Sequence, residues 1–136
     1  MEQKLQLKTT RLMRLLLENN KPVLVFQGGT GSSKTYSILQ FFISKCLTEW
    51  EHKTIDILRR TTPALKRSVM KDFFDILMDL GIYDIRNHNR TDSIYKLESN
   101  IFRFYSADEE QKMRGLRRDI VYFNEVLEFK RIDVND

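Results

Sequence analysis

An α/β fold, with a mostly parallel sheet layered between helices, is the architecture this 136-residue sequence predicts. Three observations carry the prediction. Short apolar runs recur as buried-strand patterns. The first two are each followed by a segment with helical apolar spacing. A glycine-rich run joins the first strand to the helix that follows it, where such folds bind their ligands.

Taken in order, Leu5 to Leu17 places Leu12, Leu15 and Leu16 at helical spacing with Lys and Arg on the other faces, which predicts an amphipathic first helix. After Pro22 the pattern changes to Val23, Leu24, Val25 and Phe26, a short β-branched and aromatic run suited to a buried parallel strand. From Lys34 through Trp50, Ile38, Leu39, Phe42, Ile43 and Leu47 recur at helical intervals and predict one long helix facing the core. Thr54 to Leu58 is the second strand. Thr62 followed by Pro63 opens a helix, since a hydroxyl caps well and proline is tolerated at the first helical position, and Gly81 is a matching stop. Between them Leu65, Val69, Phe73, Ile76, Leu77 and Leu80 form an apolar stripe. Ser93 to Leu97 and Ile101 to Tyr105 alternate around Ser99 and Asn100, which predicts an antiparallel hairpin at an edge or as an insertion. A polar connector, Asp108 to Arg118, leads to the strand Ile120 to Phe123, which ends at Asn124 and Glu125.

The bulk numbers agree with one folded unit. A chain of this size buries roughly two thirds of the surface it exposes when unfolded. Hydrophobic residues at 41% and charged residues at 31% exclude wholesale disorder. A formal charge of +4 gives a mild attraction for polyanions without demonstrating nucleic-acid binding. Cys46 is the sole cysteine, so an intramolecular disulfide or a cysteine zinc cluster is excluded and a reducing compartment is expected, with Cys46 as a small buried residue. No apolar run approaches the ~20 residues of a membrane span, and the start lacks a signal-peptide core, so an intracellular protein is expected.

Chemistry enters with Gly28, Gly29, Thr30, Gly31, Ser32, Ser33, Lys34 and Thr35. Between a strand and a helix, this run reads as the phosphate-binding loop of a P-loop NTPase, with the three-layer α/β/α architecture of that class. Glycines let backbone amides turn toward phosphate oxygens, and the helix presents its positive end to the same charges. Lys34 would reach the β- and γ-phosphates of ATP, and Thr35 would give a hydroxyl to Mg²⁺. Ser33 stands where the usual pattern has glycine, which a helical backbone tolerates. A plain glycine-rich turn would leave the Lys-Thr pair at the helix start without a reason.

At the end of the last apolar strand, Glu125 is placed to orient or activate the attacking water, and Asn124 occupies the metal-side position with a neutral oxygen to offer. The bland alternative for Glu125 is an exposed strand-end glutamate. Arg59 and Arg60 follow the second strand and serve either nucleotide sensing or local ion pairing. Lys66, Arg67 and Lys71 lie along one helix, as DNA-backbone contacts or as a solvated face. His52, His88, Met113 and Trp50 are assigned no chemistry.

The strings GGTGSSKTYSILQ, LRRTTPALKRSV, the hairpin and KMRGLRRDIVYFNE, in that order, resemble the ATPase domain of phage terminase large subunits, the motors that package viral DNA, over roughly Val23 to Glu128. The resemblance implies an Mg²⁺-dependent ATPase in the cytoplasm of a bacterial host. Its implied partners are double-stranded viral DNA, a portal and a small terminase subunit, without a membrane and with a homo-oligomeric ring. It also implies that Arg114, beside Gly115, is an arginine finger toward a neighbouring subunit, worth about 10³ to 10⁵ in rate for such residues. A surface arginine is the alternative. Residues 1–136 are then the N-terminal part of that ATPase domain, C-terminally truncated and without the nuclease domain. A non-catalytic prophage remnant or interaction module and a helicase-like P-loop ATPase are the competing expectations.

Overall fold

A computed structural model of the chain describes residues 22–27 and 32–124. The expected first helix, the glycines of the loop and Glu125 lie outside the described residues. In chain order the elements are β1 (Val23–Gln27), α1 (Ser32–Thr48), β2 (Thr54–Arg59), α2 (Thr62–Arg67), α3 (Val69–Asp79), a 3-10 turn (Ile85–Asn87), β3 (His88–Asn89), β4 (Ile94–Leu97), β5 (Asn100–Ser106), a 3-10 turn (Ala107–Glu109), α4 (Glu110–Met113) and β6 (Ile120–Asn124).

The six strands form one sheet in the order β1-β6-β2-β5-β4-β3. Strands β1, β6, β2 and β5 run parallel, and β4 pairs antiparallel with both β5 and β3. The expected mostly parallel sheet is therefore present. Of the hairpin expected at an edge or as an insertion, β4 lies toward the edge beside β3, while β5 sits inside the sheet against β2. The hairpin turn falls one residue earlier, at Glu98 and Ser99, where Glu98 takes a left-handed φ of 55°. Asn100, read as a turn residue, is instead buried. Its Nδ2 donates to Trp50 O at 3.0 Å and its Oδ1 accepts from Lys53 N at 2.9 Å, so it ties the turn before β2 to the start of β5.

The direction of the connections decides which face each helix covers. From β1 to β2, and from β2 onward to β3, the chain moves the same way across the sheet, so right-handed crossovers put α1, α2 and α3 on one face. From β5 to β6 it moves back past β2, which puts the connector with α4 on the other face. Among the described residues the third layer of the expected α/β/α arrangement is thus only that short connector.

The main core lies under α1 and α3. Leu39, Phe42, Ile43 and Cys46 of α1 meet Val69, Phe73, Ile76 and Leu77 of α3 over Ile55, Ile57, Phe102, Phe104 and Tyr122 of the sheet, all buried. Phe73 is central, its ring 4.6 Å from Phe102 and 5.1 Å from Phe104. Burial pushes the Cys46 thiol up to about 12, consistent with a packing role. On the opposite face a smaller cluster of Leu58, Tyr105 and Val121 packs with Met113 and Phe123.

The helix expected from Thr62 to Gly81 is two helices. Ser68 interrupts it at φ −123°, ψ −88°, with its hydroxyl donating to Ala64 O at 2.5 Å and accepting from Arg59 Nη1 at 2.5 Å. The cap is Thr61 rather than Thr62, its hydroxyl accepting from Ala64 N at 3.3 Å, so Pro63 falls within the first turn. Gly81 does stop α3, at φ 70°, with Ile82 N donating to Leu77 O and Gly81 N to Met78 O, both at 3.0 Å.

Candidate functional site at the carboxyl edge of the sheet

Strands β1, β6 and β2 end side by side, Gln27 opposite Asn124 and Leu58 opposite Phe123. Alternation along β1 puts Val23, Val25 and Gln27 on the helix-covered face. The same alternation in β6 puts Tyr122 and Asn124 there. The first turn of α1 comes down onto these strand ends, so Thr35, Gln27 and Asn124 are all buried together.

Their polar groups satisfy one another, as buried polar groups must. Thr35 Oγ1 donates to Gln27 Oε1 at 3.1 Å. Asn124 Nδ2 lies 3.1 Å from both Gln27 Oε1 and Thr35 Oγ1, and 2.9 Å from the Tyr122 hydroxyl. The Tyr122 hydroxyl also donates to Gln27 Oε1. On the far side Arg59 Nη1 donates to Asn124 Oδ1 at 3.1 Å, and through Ser68 the network reaches the break between α2 and α3.

Lys34, one residue earlier, is exposed at the start of a 17-residue helix that carries no acidic residue in its first turn. The helix dipole and the ammonium therefore combine into a positive end at the carboxyl edge, with no acidic residue in that turn. Ser32 and Ser33 belong to the same first turn, but their side chains lie outside the described residues. So do Gly28, Gly29, Thr30 and Gly31, which bridge the end of β1 and the start of α1, and Glu125, which follows Asn124.

Of the expected site residues, Lys34, Thr35 and Asn124 share this edge. The oxygen of Asn124 expected to be on offer faces Arg59, and its NH₂ group faces Thr35. Sequence reasoning missed Gln27, Tyr122 and Ser68. For Gln27 a signal existed: it continues the inward register of Val23 and Val25, so a polar side chain there needs buried partners.

Arg114 lies elsewhere, on the connector over the opposite face. It is exposed, and its Nε donates to Glu110 Oε2 at 2.7 Å. Glu110 is also held by Arg118 Nη1 at 3.2 Å, and Arg118 reaches the Tyr105 hydroxyl at 3.4 Å. Tyr105 donates to the buried Asp56 at 2.5 Å, and Arg103 grips the same carboxylate through two bonds, 2.7 and 2.9 Å. Burial is the larger influence on Asp56 and raises its pKa, against the pull of Arg103 and Tyr105. Of the basic helix residues, Lys71 is paired with Asp75 at 2.7 Å, while Lys66 and Arg67 are exposed.

Among the described residues no helix is long and apolar enough to cross a membrane. No group of three or more His, Cys, Asp or Glu side chains there is arranged to hold a metal ion. No curated protein matches the chain. The sequence model of the phage terminase large subunit matches residues 20–136, which takes in the strand–loop–helix edge, the hairpin and the connector. On that match, the chain belongs to the phage terminase large subunit family.

Proposed function

We propose that the carboxyl edge binds ATP with Mg²⁺, and that the chain is the nucleotide-binding part of an ATPase that powers viral DNA packaging. The observation that carries this reading is Thr35, held in the first turn of α1 against the ends of β1 and β6, with Lys34 exposed beside it. The donor set suits a polyphosphate. It joins a positive helix end, an exposed ammonium and a hydroxyl, with no carboxylate in that turn to repel the ligand. Mg²⁺ would neutralise charge on the transferred phosphoryl group. Lys34 holds the phosphates, Thr35 turns its hydroxyl to the metal, the amides of residues 28–33 cradle the phosphate oxygens, and Glu125 orients water. Arg114 acts on a neighbouring subunit's site in a ring. Double-stranded DNA, a portal and a small subunit are the partners this reading carries, in a bacterial cytoplasm.

Thermal melting tests the binding half. Mg-ATP is expected to raise the melting temperature of the chain, and Lys34→Ala to abolish the rise; a wild-type chain indifferent to Mg-ATP would sink the reading.

A second reading, a non-catalytic interaction module, draws on the edge strand β1, where Leu24 and Phe26 are 54% and 55% exposed on the less covered face. Measuring ATP turnover separates the two.

A further inference from the structure

We propose that Gln27 is the positioning residue that aims the Thr35 hydroxyl at the metal, and that Asn124 serves the metal through Thr35 rather than as a ligand. The proposal rests on the nucleotide reading above.

A hydroxyl has one proton and two lone pairs. To meet a cation it must send its proton elsewhere and keep a lone pair free. Thr35 sends its proton to Gln27 Oε1, at 3.1 Å, and one lone pair receives Asn124 Nδ2, at 3.1 Å. Among the described residues, one lone pair is left.

The polarity of this chain of bonds is fixed from Arg59. A guanidinium only donates, so the atom of Asn124 that faces Arg59 Nη1 at 3.1 Å must be the oxygen. The NH₂ of Asn124 must then point inward, toward Gln27, Thr35 and Tyr122. Gln27 must in turn present its oxygen to that NH₂, and the same oxygen takes the proton of Thr35 while it also accepts from the Tyr122 hydroxyl, so three donors share it. Rotating the Asn124 amide would set its NH₂ against a cation and its oxygen against the oxygen of Gln27. A carboxylate at position 124 would accept the Thr35 proton itself; with asparagine there, the acceptor is Gln27.

Gln27, Thr35, Tyr122 and Asn124 are all uncharged types. Mg²⁺ alone therefore gains little from them, and its attraction to the site depends on the phosphates and on how well Thr35 is aimed.

The test compares variants of the full chain by the Mg²⁺ concentration that gives half of the ATP-dependent thermal stabilisation, alongside ATP binding in EDTA. Gln27→Met removes the acceptor at similar volume. It is expected to raise the Mg²⁺ midpoint about tenfold, the scale of one hydrogen bond, with metal-free ATP binding unchanged. Gln27→Glu keeps the acceptor and is expected to return the midpoint to the wild-type value or below. In an Asn124→Asp background the new carboxylate takes the Thr35 proton, so Gln27→Met should no longer move the midpoint. A wild-type midpoint in Gln27→Met overturns the proposal, as does an equal loss of ATP affinity with and without metal, which would mark Gln27 as structural only. Where Gln27→Met does not melt cooperatively, Asn124→Asp alone decides: a midpoint about tenfold below wild type is expected, and an unchanged one overturns the proposal. Absence of any Mg-ATP response in the wild-type chain removes the nucleotide reading instead, so the two failures are distinguishable.

Discussion

On the helix-covered face, Gln27, Thr35, Tyr122 and Asn124 bury amides and hydroxyls, with Arg59 at the margin and Lys34 exposed beside Thr35. On the opposite face, Asp56, Arg103, Arg118 and Glu110 bury full charges around the Tyr105 hydroxyl. Both sets are hydrogen-bonded within themselves, but they differ in what a change costs. Neutral groups exchange partners for a fraction of the cost of stranding a charge, because the penalty for an unpaired ion in a low-dielectric site is several times that for an amide. The neutral set stands where a ligand is proposed to arrive and partners must change. The ionic set stands under the connector to β6, where a fixed shape is required. A strand end proposed to bind and a crossover that braces thus carry opposite chemistries.

The widest gap between the faces should appear on truncation. Asp56→Ala leaves Arg103, largely enclosed, without its carboxylate and is expected to cost about 3–5 kcal/mol, whereas Tyr122→Phe removes one of several donors from Gln27 and is expected to cost about 1 kcal/mol. Urea denaturation of both variants measures the difference. Replacing the ionic pair together, Asp56→Leu with Arg103→Met, should recover most of the loss, since burial already opposes the charged form of Asp56. Equal costs for the two single variants would erase the contrast.

How much of this was legible in the sequence divides along similar lines. Apolar period marked β1, α1, β2, β5 and β6 because burial on one or both faces writes itself into every residue of an element. The break at Ser68 left no such mark. It depends on one hydroxyl placed between Ala64 and Arg59, and the apolar stripe of Leu65, Val69 and Phe73 runs straight through it. β3, two residues long, is too short to carry a period. Asn100 looked like a turn residue because asparagine favours turns, yet tertiary partners more than forty residues away own its side chain. Asp56 within Thr54–Leu58 was an available clue to the ionic face, since an acid inside a buried strand demands a cation. Its partner, Arg103, could be named only once the register of β2 against β5 was known. Lys34 and Thr35 belonged to a readable motif and Gln27 stood next to it, but the direction of the Asn124 amide depends on Arg59, which lies far away in sequence.

Acid sharpens the comparison from outside both networks, since neither contains a histidine. His88 stacks on Phe74 at 4.2 Å, and its Nδ1 meets the Tyr83 hydroxyl at 2.8 Å. Burial, with a smaller contribution from Arg90, lowers its pKa. The unfolded chain therefore binds the proton more readily than the folded one. The contribution of neutral His88 is complete above the unfolded value, about 6.5, and shrinks as pH falls through the folded value. Melting temperature is expected to decline modestly below about pH 6.5, and His88→Phe to flatten that part of the profile. A decline of the same size in His88→Phe would move the source to the ionic face.

The smallest effect on stability is expected at Arg114, and it is informative because it is small. Arg114 is 64% exposed, and its bond to Glu110 is an ion pair one helical turn apart, a type worth about 0.3–0.5 kcal/mol and screened by salt. Arg118 shares the same glutamate but is enclosed and also reaches Tyr105. The ionic network consequently holds Glu110 through Arg118 and leaves Arg114 as a loosely tethered outer member, free to exchange one anion for another at little cost. Arg114→Ala should shift the urea midpoint barely at all and Arg118→Ala clearly more. In an assembled, turning-over ring, the order should reverse, with Arg114→Ala costing about 10³-fold or more in rate if it reaches a neighbour's phosphates. Loss of stability in Arg114→Ala comparable to that in Arg118→Ala would place Arg114 inside the brace and remove the basis for its reach.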